Sequence, residues 1–133
     1  MHYLGIDYGA ARTGFAVGED ATGIAFPREV VESDWEKLRD FMARIIAEEK
    51  IDGIVLGLPK TLEQKESDST RSVMAFAERV KEEFPAVPVH FQDEVFSTKA
   101  IYPGSTAKDM TDAASAALIL QSFFDGQISA SRE

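Results

Sequence analysis

Residues 51–58, IDGIVLGL, form a nearly continuous apolar run closed by Pro59, and that run limits the folds open to this chain more than any other stretch. A strand this uniformly apolar has to be covered on both faces, which places it inside a sheet with helices above and below. The flanking segments agree. Before it, Trp35, Leu38, Phe41, Met42, Ile45 and Ile46 recur at helical spacing up to Glu49, and Ser33-Asp34-Trp35-Glu36 has the Ser-x-x-Glu spacing of a capping box. After it, a loop rich in Lys, Glu, Ser and Thr over 60–68 leads into a helix near 69–84, with Val73, Phe76, Ala77, Val80 and Phe84 on one face and Pro85 as its stop.

The N-terminal eighteen residues, MHYLGIDYGAARTGFAVG, contain two short apolar runs, 2–8 and 13–18, separated by a turn with Gly9 and Arg12, the pattern of a β-hairpin. A third strand is predicted within 22–32, where Pro27 cannot donate to a ladder and so marks an edge strand or a bulge. Residues 87–92, VPVHFQ, read as a further strand ending on the adjacent acids Asp93 and Glu94. Residues 95–110 hold no strong pattern. The last helix is predicted over 111–124, with Thr111 as N-cap and small residues Ala113, Ala114, Ala116 and Ala117 that permit close approach to a sheet. The order is βββαβαβα. Right-handed crossovers then favour an α/β fold with a five-stranded mixed sheet in the order 3-2-1-4-5 and helices on both faces. With 133 residues the chain fits one domain, 1–126, followed by a short tail, 127–133.

There are no cysteines, so any metal has to be held by oxygen or by His2 and His90, which favours a hard cation. No apolar run approaches the roughly 20 residues of a membrane span, and the N-terminus enters a strand pattern without a basic leader, so the expectation is a soluble, cytoplasmic protein with no membrane partner. A formal charge of −9 argues against a protein that coats nucleic acid, though not against one local groove.

In the 3-2-1-4-5 arrangement the carboxyl ends of the first and fourth strands are neighbours. Asp7, then Asp93 or Glu94, and Asp112 at a helix start can converge there. Three carboxylates in one place raise one another's pKa and normally coexist around a divalent cation, Mg²⁺ or Mn²⁺, and two such ions flank both oxygens of a displaced phosphodiester. Each acid also has a plainer role. Asp7 can accept turn N–H groups, Asp112 suits the positive end of a helix, and Asp93 and Glu94 can be a solvated strand end. Arg12, Lys60 and Lys99 lie in loops at the same edge and are the candidates for binding nucleic-acid phosphates.

The segments GIDYGAARTGFAVG, IVLGLP, DEVFST and TDAASAALILQSFFD resemble, in order, the four signature blocks of the YqgF/RuvX family. The resemblance implies an RNase H-like fold and a metal-dependent endonuclease acting on structured RNA, in maturation of the 5′ end of pre-16S rRNA. It also implies that Asp7, Asp93, Glu94 and Asp112 are the acidic site residues. A Holliday junction resolvase acting on branched DNA is the nearest alternative. The chain departs from the family pattern at Val95 and Phe96, where an Arg-Leu pair is usual, and in a short 99–110 connection; these departures motivate a third reading, a catalytically degenerate interaction module. An actin-like ATPase also begins with Asp-x-Gly but needs two such domains, and this chain has room for one. A homodimer is compatible with the sequence.

Overall fold

The computed structural model describes residues 1–59, 68–94 and 108–131. Lys60, Val95, Phe96, Lys99 and the side chain of Glu94 lie outside the described residues, as does most of the 99–110 connection. Within them the chain runs β1 (His2–Asp7), β2 (Arg12–Glu19), β3 (Ile24–Glu32), α1 (Trp35–Glu48), β4 (Ile51–Pro59), α2 (Asp68–Glu83), β5 (Val89–Glu94) and α3 (Lys108–Ser131). The sheet has the order β3-β2-β1-β4-β5, as the strand pattern predicts. β1 pairs antiparallel with β2 and parallel with β4, which pairs parallel with β5. β3 is an edge strand, and its register with β2 slips between Phe15 and Ala16, opposite Glu29 and Pro27, so Pro27 marks both an edge and a bulge.

Strand alternation sorts the side chains into two cores. Leu4 and Ile6 of β1, with Ile54 and Leu56 of β4, meet Leu38, Phe41, Met42 and Ile45 of α1 and Val73, Phe76, Ala77 and Val80 of α2. Each of these large apolar side chains contributes about 1.5–3 kcal/mol when fully withdrawn from water. On the opposite face Tyr3 and Val55 pack against Ile119, Leu120 and Phe124 of α3. Here the strands present glycine. A Cβ on Gly5 would lie 2.9 Å from both the Ala116 carbonyl oxygen and Leu120 Cβ, so the helix backbone rests almost directly on the sheet. The small residues of α3 serve this approach, with Ala113 and Ala116 buried.

Three boundaries differ from the sequence expectation. Asp34, not Ser33, caps α1: its carboxylate accepts the Lys37 N–H at 3.3 Å, and Ser33 is drawn away by bonds to an earlier turn. β5 extends through Asp93 and Glu94, because these two residues continue the ladder opposite Leu58 and Pro59. α3 begins at Lys108, so Thr111 lies inside the helix rather than capping it. It continues to Ser131 through most of the segment expected as a tail, since nothing in QISAS breaks a helix.

Candidate active site

Asp7 is the last residue of β1, and in the antiparallel register its partner is Gly14 of β2. Tyr3 and Gly5 of the same strand contact α3, so alternation carries Asp7 to that face as well. Gly14 shows why the last helix matters. A Cβ there would collide with the Asp112 main-chain carbonyl, so the first turns of α3 lie directly over the partner of Asp7. Two acids from opposite ends of the chain are thereby brought to one edge and one face of the sheet.

The turn that follows Asp7 is held from three sides. Tyr8 stacks on Phe76 of α2, with ring centroids 4.4 Å apart and planes at 16°. Ser33 donates its main-chain N–H to the Ala11 carbonyl at 2.9 Å and its hydroxyl to the Gly9 carbonyl at 2.6 Å, and that hydroxyl lies 2.8 Å from the Oγ1 of Thr13, which is fully buried. Arg12, at the far end of the turn, places Nε 3.4 Å from Asp112 Oδ2. This guanidinium, expected as a phosphate ligand, thus pairs with one of the candidate acids. Ser33 is a site-shaping residue that the sequence reading assigned to a helix cap. The signal for its real role is a hydrogen-bond partner 24 positions upstream, which local spacing does not reveal.

β5 carries Asp93 near its end. Val89 and Phe91 pack with the α1–α2 core, whereas His90 meets Tyr3 and Phe123 on the α3 face. Continuing the alternation gives Asp93 to the α1–α2 side. Asp93 is exposed, level with Leu58 of β4. In the register, position 57 comes level with Gln92 and follows Leu56, the neighbour of Ile6; it is a glycine. The neighbouring end of β4 is tied down by the Thr70 hydroxyl, which donates to the Pro59 carbonyl at 2.9 Å.

Among the described residues, no three His, Asp or Glu side chains lie close enough to share a metal ion. Asp7 and Asp112 supply oxygen donors to the α3 side of this edge, and a chain without cysteine offers the hard ligands that Mg²⁺ and Mn²⁺ take. The donor chemistry therefore fits such an ion. Lys60 and Lys99, the other candidate phosphate ligands, fall outside the described residues.

Two solved structures share this architecture. Thermus thermophilus RuvC in complex with a Holliday junction substrate superimposes with a TM-score of 0.61 at 15% identity, covering 96% of each chain. The Fowlpox virus resolvase, in complex with Holliday junction DNA, gives 0.59 at 14% identity, covering 96% of this chain and 99% of that one. The fold is RNase H-like. In sequence, a protein of Thiobacillus denitrificans named "Putative pre-16S rRNA nuclease" is 36% identical over 137 residues, 96% of this chain and 93% of the relative. A protein of the same name from Phocaeicola vulgatus is 31% identical over 134 residues, 93% and 95% of the two chains. The family described as "RuvX: Holliday junction resolvase" matches residues 1–126, and it is to this RuvX family that the chain belongs.

Proposed function

We propose that this protein is a divalent-metal-dependent endonuclease that hydrolyses phosphodiesters in structured RNA and serves the 5′-end maturation of pre-16S rRNA. The observation that carries the reading is the placement of Asp7 and Asp112 on one face and one edge of the sheet, with the Asp112 backbone packed on the register partner of Asp7. The names of its relatives supply the substrate class. Asp7, Asp112 and Glu94 would hold Mg²⁺ or Mn²⁺, and Asp93, on the other side of β5, is the weaker candidate. The ion would supply charge stabilisation at the phosphate and an activated water. The residues of this chain do the rest. Ser33 and Tyr8 fix the turn behind Asp7, so that its carboxylate needs little reorganisation. Arg12, beside Asp112, is placed to meet a phosphate oxygen once a substrate enters.

The family description favours a second reading, resolution of branched DNA on the same carboxylates. Among the described residues no helix is long and apolar enough to cross a membrane, in keeping with a substrate met in the cytoplasm. The test is a cleavage assay on a pre-16S rRNA 5′ leader and on a four-way DNA junction, with Mg²⁺, Mn²⁺ or chelator, for the wild-type protein and Asp7→Asn. Metal-dependent cutting of the leader, abolished by Asp7→Asn in a variant that unfolds no earlier than wild type, is expected. Cutting of the junction alone would select the resolvase. No cutting of either would leave the interaction module.

A further inference from the structure

One residue beyond Asp7, on the other side of the sheet, the chain opens a cleft that the acidic site does not use. Its volume is about 340 Å³, within the range of small-ligand sites, and it lies between the start of α1 and the exposed side of α2. Tyr8, Trp35 and Phe76 form its aromatic walls, Ser33 and Ser72 supply hydroxyls, and Arg79 is its cation. Phe76 is core: it is 4% exposed, with Tyr8 stacked on it and Trp35 meeting it edge-on at 6.1 Å and 79°. Tyr8 and Trp35 are not, since both are only half-buried and line the open cleft. The Arg79 guanidinium lies 5.1 Å from the Trp35 ring centroid.

The charge of this cleft is opposite to that of the molecule. In a chain with a formal charge of −9, none of the described residues lining it is acidic and one is an arginine. Aromatic faces joined to a guanidinium plane are the surface on which an unpaired base stacks while its phosphate meets a positive charge. A paired base offers no such face. Position matters equally. Asp7 and Tyr8 are consecutive, with Cα atoms about 3.8 Å apart and side chains on opposite faces, so a single strand crossing the carboxyl edge of the sheet passes from one to the other.

We propose that this cleft is a binding site for one unpaired nucleotide of a single-stranded RNA segment, adjoining the nucleotide cut at Asp7. The proposal rests on the nuclease reading for the identity of its ligand. It also explains how an acidic protein grips a polyanion: stacking supplies affinity that neither net charge nor salt removes, where counterion release has few lysines and arginines to act through.

Trp35 is the single tryptophan of the chain, so its fluorescence reports on this cleft alone. The experiment is a titration of the full protein with a short unstructured RNA in chelator, read by Trp35 quenching, with Arg79→Ala and Ala75→Glu alongside. Both substituted positions are exposed on α2, so neither variant disturbs the core, and thermal melting followed by circular dichroism checks this. Saturable quenching is expected, with Kd raised about tenfold in each variant, equivalent to about 1.4 kcal/mol. A fully paired duplex of the same sequence should quench little. Absence of quenching, equal quenching by the duplex, or variants that bind as wild type would each overturn the proposal. Because the titration needs no cleavage, the two readings fail separately. Quenching without cutting under any metal faults the nuclease assignment and leaves the cleft standing. Cutting without quenching removes the cleft alone.

Discussion

The main-chain carbonyl of Asp112 is packed so closely on Gly14 that no side chain fits between them. Gly14→Ala has to push the first turns of α3 off the sheet. Overpacking of this kind costs about 1–3 kcal/mol. The variant should therefore unfold at lower urea concentration and lose metal-dependent cleavage more severely than its stability loss accounts for, because Asp112 moves relative to Asp7. A Gly14→Ala protein with wild-type stability and rate would show that the approach is looser than described.

Ser33 and Asp34 are neighbours with different duties, and two alanine variants should separate them. Ser33→Ala removes the bond to Gly9 and takes a partner from the buried Thr13 hydroxyl, a loss of about 1–3 kcal/mol. Asp34→Ala removes the cap of α1, about 1 kcal/mol. Cleavage at a temperature where both remain folded should fall in the first and hold in the second. Equal rates would mean that the turn after Asp7 keeps its shape without Ser33.

The two acids of β5 should prove unequal. Since alternation sends Asp93 away from the face of Asp7, Glu94→Gln is expected to abolish cleavage and to weaken Mn²⁺ binding measured by calorimetry. Asp93→Asn should lower the rate far less. The reverse ranking would require β5 to turn over at its end.

Binding of duplex or junction substrates should be weak and should strengthen with divalent metal. Each phosphate neutralised contributes a log–log salt slope near −0.9 on duplex DNA, and this chain brings few cations to the edge. Lys60→Ala and Lys99→Ala should each lower affinity and reduce the slope. Arg12→Ala should do the same while changing stability by less than about 1 kcal/mol, as its pair with Asp112 is substantially exposed. Tight, metal-independent binding across a salt titration would contradict all three.

The sheet order was legible because residues 51–58 admit only a central strand and the helical periods on either side dictate crossovers. Asp7 and Asp112 stood out for the same local reasons: a strand that ends on an acid, and an acid in a helix rich in alanine. The face of Asp93 was present in the alternation of VHFQD but becomes meaningful only once His90 and Phe91 are seen against different helices. Ser33 was not legible at all. Ser and Asp are both good caps, and the choice between them is made by the Gly9 carbonyl and Thr13, partners that spacing does not announce. Pairings of this range are properties of the closed fold.

Residue 7 is synthesised well before residue 112. β1, β2 and β3 can pair while synthesis continues, yet α3, which brings Asp112 onto Gly14, follows every other element. A protein assembled this way does not bring Asp7 and Asp112 to one edge until α3 has emerged.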